Sequence, residues 1–236
     1  MRKVAVLAVM AVVPVAGIAH AATVDQSIDV KISPSKAGTK KKPTAASLKF
    51  DIATVKKVQN ESFATKTATL FFDKNLVFNP AAFPTCKQAT IQANEGKCVK
   101  GSKVGTGSAV GNALGQTQNL KVSLFNGPGK TLLLHVTGSS PLAIDSVIVG
   151  KLKSASGAYG TKLVVTIPDN LQQPLPGVFA TLTSFKTSIT KLAGKKGKNT
   201  PYIGIKGCTK KRLAFKGDFV FTDGTKASAT DTVACK

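Results

Sequence analysis

Residues 70–107, LFFDKNLVFNPAAFPTCKQATIQANEGKCVKGSKVGTG, decide the architecture. Leu70–Phe72 and Leu76–Phe78 are runs of aromatic and branched side chains, which suit a pleated, half-buried surface. Asn79-Pro80 and Phe83-Pro84 end the pairing, because proline has no N–H to donate and restrains the residue before it. The segment CKQATIQANEG (86–96) predicts one short helix, with Thr85 as its N-cap and Gly96 as its left-handed stop. Cys86 and Cys98 bracket that helix, so a bridge between them pins it to the start of the next strand, KVGTGSAV (103–110). The stretch is a stapled corner of a β-domain and holds no catalytic motif.

Apolar alternation continues on both sides of the corner. In ASLKFDIATVKKV (46–58), Leu48, Phe50 and Ile52 alternate with Lys49, Asp51 and Ala53, which predicts a half-buried strand. NLKVSLFNGPGKTLLLHVTG (119–138) predicts a hairpin turning at Asn126-Gly127-Pro128-Gly129. IDSVIVGKL (144–152) and TKLVVTI (161–167) flank a second turn, and PDNLQQPLPG (168–177) is a proline-rich crossover into the alternating VFATLTSFKTSIT (178–190). In RLAFKGDFVFT (212–222), Leu213, Phe215, Gly217, Phe219 and Phe221 share one face, the core face. Asp223-Gly224 then turns the chain. A three-residue turn ending at Gly224 pairs Phe219 with Ala227 and Leu213 with Val233. It is preferred to a two-residue turn, which pairs Phe219 with Ser228, because it keeps apolar side chains opposite one another. Either register puts Cys235 opposite Lys211 or Arg212. Cys208 is then out of reach along a straight strand, so residues 209–211 must fold back if Cys208 and Cys235 are to join.

About eleven candidate strands, one short helix and no long amphipathic helix make this an all-β chain. The expected architecture is a disulfide-stapled, Ig-like β-sandwich. One large sandwich and two small ones both fit, with a split near 139–143 or 168–176. The expected divisions are a signal peptide at 1–21, a basic N-terminal strand and arm at 22–45, and the sandwich region at 46–236.

The signal peptide is read from basic Met1-Arg2-Lys3, the apolar run Val4–Ile18 and the small-residue site Ala19-His20-Ala21, with cleavage expected after Ala21. No second hydrophobic span follows, so the processed chain is expected outside the cell without a transmembrane segment. All four cysteines, Cys86, Cys98, Cys208 and Cys235, lie in the exported part. An even count in an oxidising compartment implies two bridges with three connectivities, of which nearest neighbours are favoured: Cys86–Cys98 and Cys208–Cys235. Each such loop removes roughly 3 kcal/mol of unfolded-chain freedom in the entropy model. A metal site is disfavoured, since there is no C-x-x-C pair and His135 is the one histidine of the mature chain. No cofactor is expected.

Thirty-three basic residues oppose 11 acidic ones, a net charge of +22, and the excess persists once Arg2 and Lys3 are removed. Arg212 is the mature chain's one arginine. Lysine is a hydrated point charge, less suited than arginine to reading bases or phosphates bidentately, and suits diffuse attraction to a polyanion. Three clusters adjoin glycine- or proline-marked loops: Lys40, Lys41 and Lys42; Lys195, Lys196 and Lys198; Lys210 and Lys211. Acidic cell-envelope polymers or anionic surfaces are the expected partners. Nucleic acid is disfavoured by the export signal and by phenylalanines that alternate inward rather than forming a stacking face.

Catalytic constellations are sparse. His135 has no G-x-S-x-G elbow to serve, and the glycine-rich Gly105–Gly115 lacks the Gly-Lys-Ser/Thr of a phosphate loop, so its glycines are expected at a strand edge or bulge. Glu61 and Glu95 are the mature chain's glutamates, and there is no tryptophan to stack a sugar. The leading expectation is a secreted, non-enzymatic structural or binding module at the cell envelope. The alternative is a secreted hydrolase whose carboxylates come together from separated strands.

ISPSKAGTKKKP, the F-P-T-C…C-x-x-G-S-K-V-G-T-G corner, the SLFNG turn and the C…F-x-F-T-D-G-T…C hairpin together resemble a family of secreted actinobacterial all-β proteins. The similarity covers nearly the whole mature chain, and the cysteine corner is its most specific part. The resemblance implies export and an all-β fold. It implies no activity, cofactor or catalytic residue, because that family has none assigned.

Overall fold

The structure, a computed structural model, describes residues 24–56, 63–190, 192–193 and 200–236. The expected signal peptide at 1–21 lies outside them. Fourteen strands follow in chain order: β1 (Val24–Ser33), β2 (Thr44–Ala45), β3 (Ser47–Lys56), β4 (Thr65–Asp73), β5 (Leu76–Phe78), β6 (Lys103–Ala113), β7 (Gln116–Gly127), β8 (Thr131–Gly138), β9 (Ile144–Ser154), β10 (Tyr159–Thr166), β11 (Thr181–Ile189), β12 (Ile203–Ile205), β13 (Arg212–Phe221) and β14 (Lys226–Ala234). Eleven form one antiparallel sheet in the order β1-β3-β11-β6-β7-β8-β9-β10-β4-β13-β14, and β2-β12-β5 form a small second sheet.

The all-β reading holds, but the expected pair of facing sheets is replaced by a single sheet curled into a nearly closed barrel. Its two edges, β1 and β14, meet without a ladder. Across this seam the Val30 N–H donates to Asp231 Oδ2 at 2.7 Å. Just past the strand ends, the Ala37 N–H donates to the Lys236 carbonyl at 2.6 Å and the Lys236 N–H to that of Ser35 at 3.1 Å. The sequence pattern is the same for both architectures, since a period of two says which face is buried and not what lies opposite it.

The interior is apolar. Leu48, Phe50 and Ile52 of β3, Leu70 and Phe72 of β4, and Leu213, Phe215 and Phe219 of β13 are all buried. Phe50, Phe72 and Phe215 form a triangle of edge-on rings, 6.3–6.4 Å between centroids. Outward positions between them carry Lys49, Asp51, Lys216 and Asp218. This polarity is the reverse of an outer-membrane barrel, whose apolar face points outward. Among the described residues, no helix is long and apolar enough to cross a membrane.

The stapled corner folds as helix α1 (Gln88–Asn94) with its bridge in place, Cys86 to Cys98, Cα atoms 5.4 Å apart. Its caps differ from expectation. Lys87, not Thr85, is the N-cap, and it contributes no side-chain bond. At the far end Gly96 has no left-handed backbone; it sits in a 3-10 turn whose first amide bond is made by the Asn94 side chain, at 2.8 Å from the Gly96 nitrogen. The helix is held by packing instead: Ile91 is fully buried against Phe125, Leu133 and Val147, a small core outside the barrel wall.

Asn126 also differs from the turn residue expected. It lies one residue before the end of β7, fully buried, and the turn proper is Pro128–Lys130, with Gly129 and Lys130 at positive φ. Its side-chain amide donates to the carbonyls of Pro80 at 2.9 Å, Pro84 at 3.0 Å and Phe83 at 3.3 Å. Its Oδ1 accepts from the buried Tyr202 hydroxyl at 3.3 Å. One side chain thus satisfies a proline-framed loop that has no ladder of its own.

At the C-terminus the preferred register is the one observed: Leu213 pairs with Val233 and Phe219 with Ala227. Thr209–Lys211 folds back as a 3-10 turn with Lys210 and Lys211 at φ 54° and 55°, and Cys208 joins Cys235 with Cα atoms 5.9 Å apart. Two bridges point to an oxidising, extracytoplasmic compartment.

Candidate ligand-binding site

β3, β6, β8 and β10 run toward one end of the barrel, where the turns at 113–116, 138–144 and 166–181 gather. An apolar cavity of about 240 Å³ opens there, its wall including Ala109, Gly111, Val136, Ile144, Leu171 and Phe185. A smaller chamber of about 90 Å³ adjoins it, among Phe50, Leu70, Leu134 and Phe219. Thr65, Ile148, Ile167, Leu182 and Phe185 line both. No charged side chain lines either chamber. At the rim stand Leu114 and Leu175, 74% and 45% exposed, two of the three large apolar side chains left in water among the described residues.

The hollow has a cause in the sequence. On β6 the residues opposite Leu124, Val122, Leu120 and Gln118 of β7 are Gly105, Gly107, Ala109 and Gly111. Opposed residues share a face, so β6 turns a row of small side chains inward. At Gly105 and Gly107 the room is taken by the backbone of β11, whose Ser188 and Lys186 carbonyls press against the glycines. At Gly111 it is not: an added Cβ would meet nothing nearer than the Thr181 carbonyl at 3.8 Å. One glycine pair therefore closes the wall and the next opens the cavity. The alternation of small residues in GTGSAVGNA is the signal that sequence reading missed, although a β-bulge does fall at Lys103/Gly105 as expected.

The lysines lie elsewhere. Lys40, Lys41 and Lys42 are exposed in the loop after β1, and Lys210 and Lys211 in the turn before β13, both at the end away from the cavity mouth. Backbone bonds gather these loops: Gly38 N–H to the Ile205 carbonyl at 2.9 Å, Ala37 N–H to Lys236, and Cys235 N–H to Lys211 at 3.0 Å. Lys195, Lys196 and Lys198 lie outside the described residues.

His135, on the outer face of β8, sits between two carboxylates. Its Nδ1 is 2.7 Å from Glu95 Oε2 and its Nε2 2.9 Å from Asp145 Oδ1. Glu95 also accepts from Lys103 Nζ at 3.2 Å and Ser123 Oγ at 3.3 Å. Burial pulls the imidazole pKa down, but bonds to both carboxylates outweigh it and the net shift is upward from 6.5. Burial raises that of Glu95, and bonds from His135 and Lys103 reverse this to a net lowering from 4.5. Both ring nitrogens are engaged, so the group clasps the 3-10 turn after α1 to the barrel and leaves neither nitrogen free as a base.

The sign of its pH dependence follows. The His135 contribution is full below its unfolded value and is lost as pH rises through the higher folded one. The Glu95 contribution is full above its unfolded value and is lost as pH falls through the lower folded one. The stability difference between the natural protein and His135→Gln should therefore be largest between 4.5 and 6.5 and shrink on both sides. Thermal melts of the two proteins across pH check this; a difference independent of pH would contradict the clasp.

No protein-family model matches this chain, and no curated protein matches it. Among solved structures it is similar to one described as "AvmM Catalyzes Macrocyclization in Alchivemycin A Biosynthesis", over 89% of this chain and 90% of that one, at 8% identity and a TM-score of 0.30. At that level the likeness carries no argument about this chain.

Proposed function

We propose that this is a secreted, non-enzymatic binding protein that holds an apolar small molecule in the open end of its barrel. Its lysine-rich far end keeps it near acidic polymers or anionic surfaces of the cell envelope. The observation that carries this reading is the apolar cavity of about 240 Å³ opening beside two exposed leucines. Small-molecule sites are concave and mostly apolar with few polar groups, and barrels can enclose a ligand when side chains do not fill them. The two disulfides and the resemblance to exported proteins support the compartment. The exposed Lys40–Lys42 and Lys210–Lys211 support the attraction to polyanions.

A fluorescent probe with a long apolar chain should bind saturably at one site. Gly111→Leu, whose Cβ would meet nothing nearer than the Thr181 carbonyl at 3.8 Å, extends into the cavity from β6 and should weaken that binding by about tenfold or more while leaving the melt close to that of the natural protein. Sedimentation with isolated envelope in graded salt reads the other half, since exposed charges are screened beyond about 8 Å at physiological ionic strength. Absence of saturable binding, or equal binding by Gly111→Leu, would remove the cavity from the function. Retention that ignores salt would remove the lysines.

A further inference from the structure

The two ends of the barrel differ in chemistry. The small sheet β2-β12-β5 closes the end opposite the mouth, where Leu76, Ile203 and Ile205 are buried in the main core. Five connections at this closed end, residues 34–43, 74–75, 128–130, 206–211 and 235–236, hold ten lysines and no acidic residue. The stapled corner adds Lys87, Lys97 and Lys100 against Glu95. At the mouth, among the described residues, the turns at 114–115, 139–143, 167–180 and 222–225 hold Asp169, Asp223 and no lysine. Solubility does not ask for this segregation. It is served by both signs interspersed, whereas like charges gathered at one end repel one another.

Backbone and side-chain bonds draw these cations together from distant parts of the chain. The Ala37 N–H donates to the Lys236 carbonyl and the Lys236 N–H to that of Ser35. The Lys206 N–H donates to the Asn75 carbonyl at 2.9 Å, and the Asn75 side-chain amide donates to Thr209 Oγ1 at 2.9 Å. Segments 35–37, 74–75, 206–211 and 235–236 thus form one patch, on which Lys36, Lys74, Lys210 and Lys236 are exposed.

We infer that this closed end is a docking face for a linear polyanion, recognised by charge alone, which holds the barrel with its mouth turned away from the polymer. The inference rests on the lysine half of the reading above and specifies its partner. A protein that lies on an anionic bilayer sets basic and apolar side chains on one face, because buried apolar area and charge attraction act together. Here the two are opposed. Leu114 and Leu175 are exposed at the lysine-free mouth, while Val99 is the one large apolar side chain exposed at the closed end among the described residues. A bilayer could engage the lysines or the leucines but not both at once. A linear chain of carboxylates or phosphates asks only for charges, and lysine meets that demand without the planar fork by which arginine selects a group.

The test measures binding of polyglutamate in low salt by the natural protein and two variants of equal net charge. One replaces Lys36, Lys40, Lys74, Lys210 and Lys236 with Gln; the other replaces the exposed wall lysines Lys49, Lys66, Lys121, Lys151 and Lys186. Melts of both should stay close to that of the natural protein, since every position is exposed. The closed-end variant should bind about a hundredfold more weakly and show a shallower salt dependence, the wall variant about threefold more weakly or less. Equal losses would overturn the inference and leave only diffuse attraction by total charge. Tighter binding to phosphatidylglycerol vesicles than to polyglutamate, at equal concentration of negative charge, would overturn it in favour of a bilayer. In the polyglutamate complex the apolar fluorescent probe should bind with unchanged affinity. Competition between the two would place the polymer across the mouth and overturn the orientation. If the probe binds in neither state, the cavity reading falls, and the contrast between the two variants still decides the docking face.

Discussion

An Asn126→Asp protein should be less stable than the natural one by about 4 kcal/mol at neutral pH, with part of the loss returning as the pH falls. The substitution preserves shape and reverses one group from donor to acceptor. The carbonyls of Pro80, Phe83 and Pro84 then face an oxygen instead of an amide nitrogen, in a site with no exposure. Each buried polar group deprived of its partner costs about 1–3 kcal/mol. Protonation of the new carboxyl restores a single donor, which is why acid should recover part of the loss and not all of it. Urea unfolding at neutral and mildly acidic pH reads both parts. A loss under 1 kcal/mol, or one that grows with acid, would mean that the proline-framed loop is held by something other than this amide.

Gly105→Val should cost about 3 kcal/mol or more, through the opposite fault of too much material in too little space. A Cβ at this position lands on the Ser188 carbonyl of β11 and within 3.1 Å of the Ile189 Cα. Both neighbours are backbone, so neither can swing aside as a flexible side chain would. The β6–β11 pairing would have to part, and with it the barrel wall at that point. Gly111→Val on the same strand, with open space before it, serves as the control and should be nearly neutral. Equal costs at the two positions would show that strand propensity, not close approach, governs β6.

Which parts of this fold are legible in the sequence follows from how local their causes are. The β13–β14 register is decided by four apolar side chains and one Asp-Gly turn within a few residues, and it reads correctly, as does the need for residues 209–211 to fold back. The nearest-neighbour disulfides are legible for the same reason. Barrel closure is not, because β1 meets β14 only at chain separations near 200 residues, as in the bond from Val30 to Asp231, and the alternation along either strand is indifferent to that meeting. Asn126 misleads: Asn-Gly-Pro-Gly is a turn sequence, and nothing near it records that its amide is required by carbonyls 42–46 residues earlier. The cavity lies between these cases. Its small-residue row on β6 is visible as a period of two, but which glycines press on backbone and which leave space depends on β11, arriving some 75 residues later.

The seam gives the molecule a line along which it can breathe. Because a carboxylate on β14 stands where a strand's carbonyls would, parting β1 from β14 breaks few bonds and opens the interior from the side, without unfolding any hairpin. Amide hydrogen exchange should accordingly be quickest along this line, with the outward-paired strands far slower. The same carboxylate guards against the hazard that an unpaired edge creates. A foreign strand adding to β14 would have to displace β1 from Asp231 and enclose that carboxylate away from water, which disfavours edge-to-edge pairing at the seam.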